Sequence, residues 1–383
     1  MLFIKTIFII SLLLIIYIYI AYPLILFILY KLKKNKLLNK MDNYEPLVSI
    51  IIPARNEEKI IRKKIENTLQ LNYSREKTEI IIISDNSTDN TNKIVQEYKS
   101  QGVKLITLQK HMGKTTAQNI AVEKSTGNIL IFSDANALYI QDAVKHLVKH
   151  FYDKNVGCVS GELWYKNLDN NIVGKKENLY WSYEKLIKKF ENRVFTILGA
   201  NGSIYAVRKS DYVYLLNTDI SDFIEPLKIA ENGKKVIYEK KAISFEAASN
   251  IFKDELDRKK RIINRSINSI ATHNSLINPF KNFILSWELL SHKVLRWFSP
   301  FFILLLFIMN LILFVSGKFH FIFYLQIIFY SISLFGLIIK NFRGVPSWLF
   351  IPYYFCLLEY ASTLGILEYL KGQKIISWDP QRQ

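Results

Sequence analysis

Two cysteines in 383 residues, Cys158 and Cys356, far apart in sequence, exclude a disulfide-built scaffold and predict free thiols. Acids are scarce too: 33 Asp and Glu stand against 51 Lys and Arg, a formal charge of +18. The chain has no internal repeat and no low-complexity tract, which removes solenoids and disordered linkers. It has no GxxxxGK pattern, so Lys110-His111-Met112-Gly113-Lys114-Thr115 is not a complete phosphate loop and an ATPase reading is poor.

Charge is also missing in blocks. Thr6 to Tyr30 carries none, nor do Trp297 to Gly317 and Phe319 to Ile339, while Gly344 to Leu367 holds only Glu359. Each is close to or above the ~20 residues that cross a bilayer. The first is too long for a signal-peptide core and lacks a small-residue cleavage site. Lys31, Lys33, Lys34, Lys36 and Lys40 come just after the first run and only Lys5 precedes it, which puts the central domain in the cytoplasm. The expected location is the plasma (inner) membrane, multi-pass. An excess of base suits contact with an anionic leaflet or with phosphorylated substrates. Nucleic acid, the other partner of a basic chain, is not expected of a membrane-anchored one.

Between the runs, short β-branched stretches alternate with amphipathic ones, the pattern of an α/β domain. Leu47–Ile52, Glu79–Ser84, Val103–Leu108 and Asn128–Phe132 read as strands. Ile61, Ile65 and Leu69 share one helical face, as do Ile94, Val95 and Tyr98. The expected division is an N-terminal span with basic linker (1–46), a cytoplasmic domain (47–273), an interfacial amphipathic helix (274–296) and a C-terminal region of two to three spans with a tail (297–383).

Polar residues gather at the strand ends, where open α/β sheets bind ligands. Ile131-Phe132 runs into Ser133-Asp134-Ala135-Asn136, oxygen ligands two residues apart at an apolar strand tip, suited to a hard divalent cation or to a plain turn. The first strand ends in Pro53-Ala54-Arg55-Asn56-Glu57-Glu58, with Asn56 a candidate helix N-cap. The second ends in Ser84-Asp85-Asn86-Ser87-Thr88-Asp89, with Ser87 and Thr88 expected to start a helix. Asp85 there suits a base N–H or an Asx turn equally. Lys114, at a helix start, suits phosphate or sugar.

These motifs, with Gly199-Ala200-Asn201-Gly202-Ser203-Ile204-Tyr205 and Ser221-Asp222-Phe223, resemble the family 2 glycosyltransferases. The resemblance covers the central domain, and the flanking spans look like those of membrane polysaccharide synthases. It implies a GT-A fold, the Rossmann-like mixed sheet of nucleotide-diphospho-sugar transferases. It implies a nucleobase pocket at Ala54, Glu57 and Asp85, and a divalent metal, Mg2+ or Mn2+, on Asp134. Asn136 stands where the family has a second Asp and offers a neutral ligand. Asp222 would be the general base, and Gly199, Ala200 and Asn201 would shape the acceptor site. The Gln-x-x-Arg-Trp motif is absent. Arg258-Lys259-Lys260-Arg261-Ile262-Ile263-Asn264-Arg265 stands in its place, with Arg261 and Arg265 one turn apart to grip a diphosphate and Arg258 and Lys259 facing lipid.

Trp181 and its aromatic neighbours suit sugar stacking or the bilayer surface. Ser286 to Lys293 reads as an in-plane helix with His292 on its polar face. Trp378 near the end carries no assigned chemistry. The expected function is inverting transfer of a sugar from a nucleotide sugar, a UDP-sugar by preference, to a growing cell-surface or exopolysaccharide. The alternatives are single transfer to a membrane lipid carrier or glycolipid, and a non-catalytic sugar-nucleotide-binding subunit.

Overall fold

Ile50–Ile52, Ile80–Ile83 and Ile129–Phe132 are apolar without interruption because both faces of their sheet are covered. In the computed structural model, which describes residues 1–33, 41–166, 172–247, 252–339 and 346–373, the strands are β1 (Val48–Ala54), β2 (Thr78–Ser84), β3 (Val103–Thr107), β4 (Ile129–Phe132), β5 (Leu138–Tyr139), β6 (Val156–Lys166), β7 (Tyr205–Arg208) and β8 (Lys235–Ala247). They form one mixed sheet in the order β3-β2-β1-β4-β7-β6-β8-β5. The first four run parallel, and β7 turns antiparallel against β4. Ile50, Ile52, Ile80 and Ile82 enter one core; Ile51, Ile81 and Ile83 enter the other. Each fully buried isoleucine contributes about 1.5–3 kcal/mol, so a one-residue slip would exchange the faces of every strand and is disfavoured.

The helices, in chain order, are α1 (Leu2–Leu32), α2 (Ile61–Leu69), α3 (Thr91–Gln96), α4 (Lys114–Glu123), α5 (Ala143–Val148), α6 (Ile172–Val194), α7 (Ser221–Glu231), α8 (Phe252–Thr272), α9 (Phe283–Trp297), α10 (Ser299–Val315), α11 (His320–Ile338) and α12 (Trp348–Leu370). Among the described residues, α1, α11 and α12 are long and apolar enough to cross a membrane. α10, at 17 residues, reaches that length only with α9, from which it is bent by 58°.

Three local expectations are corrected. Asn56 is not a helix cap: α2 begins at Ile61, and Asn56 adopts a left-handed turn, φ 51°, with its Oδ1 accepting from Thr88 N–H at 2.8 Å. Asparagine favours that conformation for the reason it favours caps, a short side chain that bonds to nearby backbone. Ser87 and Thr88 do not open a helix either; α3 starts at Thr91, whose N–H is met by Asp89 Oδ1 at 3.0 Å. His292 is not on a solvent face. It is buried between Glu191 (2.6 Å) and Glu184 (3.3 Å), and Tyr22 donates to the same Glu191 at 2.9 Å.

The polar side of α9 therefore points into the protein. Ser286, Glu288, Ser291 and His292 are all buried, while Phe283 on the same helix is 69% exposed. The cysteines are free, Cys158 buried and Cys356 partly so.

Candidate active site

The ends of β4, β6 and β8 and the Gly199–Ser203 turn converge on one side of the sheet. There the molecule encloses a cavity of about 730 Å³ that continues from the sheet to the apolar helices. Its sheet end is lined by Lys114, Asp134 and Asp222, and its other end, among the apolar helices, by Tyr19, Tyr354, Phe355 and Glu359.

Asp134 stands two residues past β4, on a turn closed by Ala137 N–H to its carbonyl at 3.2 Å. The turn has a support that sequence reasoning missed. Lys64 of α2 is wholly buried beneath it, its Nζ donating to the Ala137 carbonyl at 2.5 Å and lying 4.0 Å from the centre of the Tyr139 ring. Burial pushes its ammonium down to about 7, against the opposing pull of Asp134 and Glu246. Asn67, one turn further along α2, binds both the N–H and the carbonyl of Tyr139 (2.7 and 2.9 Å). Nothing in a helical apolar pattern announces a lysine used this way.

Lys114 occupies the first position of α4. Gly113 before it has φ 86°, a conformation costly to any residue with a Cβ. The Lys114 ammonium reaches Asp134 Oδ1 at 2.5 Å. The loop ahead of it folds onto Asp85, whose carboxylate accepts from Met112 N–H (2.7 Å) and Gly113 N–H (2.8 Å) and pairs with His111 Nδ1 (2.7 Å). Asp85 therefore has its oxygens engaged by this loop, beside the buried Ala54 and Glu57.

Asp222 is the second residue of α7, and its carbonyl accepts from Ala200 N–H at 2.7 Å, tying it to the glycine-rich turn. Within that turn Gly199 takes φ 107°, and Asn201 N–H binds Ser160 Oγ at 3.0 Å. A Cβ at Gly202 would lie 2.8 Å from Asp222 Oδ2 and 3.3 Å from Lys114 Nζ, so this position leaves room for the carboxylate and the ammonium. Burial raises the Asp222 carboxyl, with Asp134 adding and Lys114 opposing. A carboxylate raised in this way, open to a cavity, suits a general base.

Asp219 and Glu225 do not compete for that role. Asp219 is fully buried and its Oδ2 is held by Leu216 N–H (3.0 Å) and His273 Nε2 (2.9 Å). Glu225 faces the core beside Tyr205, and burial pushes its carboxyl well up.

Arg261 and Arg265 of α8 both line the cavity, and Arg265 donates to the Asp219 carbonyl at 2.6 Å. Arg258 and Lys259 line it as well, with Arg258 bonded to Tyr165 OH at 3.1 Å, so the structure corrects their expected lipid-facing placement. Sequence reasoning also missed Glu184 and Lys188, two more cavity residues. Their signal was present: Glu184, Lys188 and Glu191 put charge on one face of α6 at helical spacing. Of the expected site residues, the Trp181 side chain lies outside the described residues, as do Trp378 and Lys34, Lys36 and Lys40.

Among the described residues no three His, Cys, Asp or Glu gather as a cation cage. Asn136 Oδ1, however, is buried with no hydrogen-bond partner among them, an orphaned neutral oxygen two residues from Asp134. One carboxylate and one amide fit a cation that takes its other ligands from phosphate and water, the habit of magnesium-like ions.

A mixed sheet of this order is a GT-A-like α/β fold. Residues 49–213, within the central domain, match the sequence model of Glycosyl transferase family 2. The chain is 29% identical over 172 residues to "Probable glycosyltransferase YdaM" of Bacillus subtilis, covering 43% of this chain and 41% of the relative. It is 28% identical over 217 residues to poly-beta-1,6-N-acetyl-D-glucosamine synthase of Staphylococcus aureus, covering 55% and 52% respectively. The chain thus spans about half the length of these relatives. Its fold matches, with a TM-score of 0.70 at 19% identity, the mannosyltransferase PcManGT of Pyrobaculum calidifontis, solved with GDP-Man and Mn2+, over 96% of this chain and 99% of that one.

Proposed function

We propose that the chain is a membrane-integrated, inverting glycosyltransferase that moves a sugar from a nucleotide sugar to a saccharide acceptor, extending a cell-surface or exopolysaccharide. The observation that carries this is the cavity joining Asp222 and Asp134 to the membrane helices, which gives a cytoplasmic donor and a membrane-side acceptor one meeting place. The polysaccharide synthase relative supports the acceptor class. Lys31 and Lys33, at the C-terminal end of α1, support a cytoplasmic catalytic domain.

In this reading Asp222 takes the proton of the acceptor hydroxyl as its oxygen attacks the donor's C1. The bond from C1 to the diphosphate breaks, and its electron pair leaves with the nucleotide. Arg261 and Arg265 take up charge on the departing diphosphate. Asp134 and Asn136 would hold Mg2+ or Mn2+, whose chemistry is neutralisation of that diphosphate. Ala54, Glu57 and the Asp85 loop would border the nucleobase, and His111 must move for Asp85 to contact it. With one base and no covalent nucleophile, the anomeric centre inverts.

A second reading, transfer of one sugar to a membrane lipid, is favoured by Ile351, Phe355 and Leu358 at the cavity's membrane end. The test is a screen of UDP- and GDP-sugars with purified full-length protein in lipid, reading nucleotide release and product mass. A ladder of products supports elongation, and a single added sugar on lipid supports the second reading. Absence of nucleotide release with every donor, despite donor binding, would leave a sugar-nucleotide-binding subunit.

A further inference from the structure

The cavity holds more positive charge than a nucleotide diphosphate needs. Lys114 is paired with Asp134, and Arg296 and Lys293 with Glu184, while Arg261 and Arg265 stand together on α8. Lys188, on α6, is different. Among the described residues its Nζ has one hydrogen bond, to the neutral Asn201 Oδ1 at 3.1 Å, and no ion pair. Its near neighbours include a second ammonium, Lys293. Burial first, and then that like charge, push the Lys188 ammonium down to about 8, against Glu184, Glu191 and Asp222. Two like charges lining one cavity are unfavourable, and an anion bound at Lys188 relieves that. Asn201 belongs to the turn that carries Gly202 and is tied to Asp222, so such an anion would lie close to the transfer chemistry.

We propose that Lys188 forms the centre of an anion subsite of this cavity, distinct from the α8 arginines, which receives a negatively charged group of a substrate. The group is a phosphate on a lipid-linked acceptor or the carboxylate of an acidic donor sugar. The inference rests on the reading of the cavity as a glycosyl-transfer site and narrows its substrate class. Asn201 acts here as the neutral partner that holds the Lys188 side chain toward the cavity.

The experiment uses the full chain in detergent and measures dissociation constants by calorimetry for two matched pairs. Dodecyl phosphate is compared with dodecyl glucoside, and UDP-glucuronate with UDP-glucose. Wild type should favour the anionic member of at least one pair by about tenfold, the worth of one charge-assisted hydrogen bond. The pair that shows the preference identifies the source of the anion. Lys188→Met should abolish the preference and leave the neutral probes unchanged, and Lys188→Arg should restore it. Lys188→Gln, which keeps a donor for Asn201 without the charge, serves if the Met variant does not fold and should behave as Met.

No preference in wild type for either anionic probe overturns the proposal. So does a preference that survives Lys188→Gln, or an equal loss for neutral and anionic probes. Failure of every nucleotide sugar to bind would instead strike the transferase reading, because dodecyl phosphate binding is measured without nucleotide.

Discussion

Asp222→Asn separates chemistry from folding at the proposed base. Asp222 lies in the first turn of α7, and what fastens it to the acceptor turn is its backbone carbonyl on Ala200 N–H, a bond that Asn keeps. Asn also fits the space that Gly202 leaves open. What the variant loses is the capacity to accept a proton. A positioned base contributes about 100- to 10,000-fold, or roughly 2.7–5.4 kcal/mol of barrier at about 1.36 kcal/mol per decade. Turnover should therefore fall by at least about 100-fold, with donor affinity unchanged.

The stability change has a defined sign. The folded carboxyl is raised above 3.8, so over the window from there upward to its folded value the native state binds more protons than the unfolded chain. Stability attributable to this group falls as pH rises through that window. Asn removes the loss, and the variant should melt at or above the wild-type temperature at neutral pH. In wild type, turnover should rise with pH as this raised carboxyl ionises, and the limb should vanish in the variant. The assay is nucleotide release with saturating donor, alongside thermal unfolding from pH 5 to 8. Turnover within a few-fold of wild type in a folded Asn variant would refute the base assignment.

Three further outcomes are expected. Gly202→Ala would bring a methyl within 2.8 Å of Asp222 Oδ2, so turnover should drop by about 100-fold with little change in melting temperature; wild-type turnover would mean that the acid moves freely. Asp134→Ala should abolish transfer in a protein that still inserts, and EDTA should do the same to wild type, reversibly with Mn2+ or Mg2+; full activity in EDTA removes the metal reading. Glu225 is buried and its carboxyl raised, so its stability contribution is lost as pH climbs from about 4.5 upward; Glu225→Gln should gain melting temperature over wild type at pH 8 relative to pH 5, and parallel curves would contradict this.

The parts of this molecule that could be read from its sequence obey local rules. β1 to β4 lie within two residues of their expected bounds because strands buried on both faces leave continuous β-branched runs. Asp134, Asp222 and Lys114 meet at one cavity because an open α/β sheet gathers its strand ends and helix starts on one edge. What resisted reading were residues whose role depends on a partner distant in the chain. Lys64 looks like the polar side of an amphipathic helix until the Ala137 carbonyl, 73 residues away, takes its ammonium.

Distance in the chain also explains why the polarity of α9 was read inside out. Alternation along a helix marks two faces but carries no label for which one meets water. In a soluble setting, Glu288, Ser291 and His292 belong outside. Here the first helix and α6 bring Tyr22, Glu184 and Glu191 against them, so His292 finds its charged partners within the protein. Phe283 and Phe280, 69% and 98% exposed, are left facing out. Exposed aromatics beside candidate spans suit a bilayer interface. A carboxylate–histidine core with an apolar exterior is stable where the surroundings are lipid. Glu359 obeys the same logic inside α12, its two oxygens met by Tyr19 OH at 2.6 Å and Ser299 Oγ at 2.7 Å. Those bonds join three apolar segments from opposite ends of the chain around one end of the cavity, so that this wall is built by the same contacts that hold the apolar helices together.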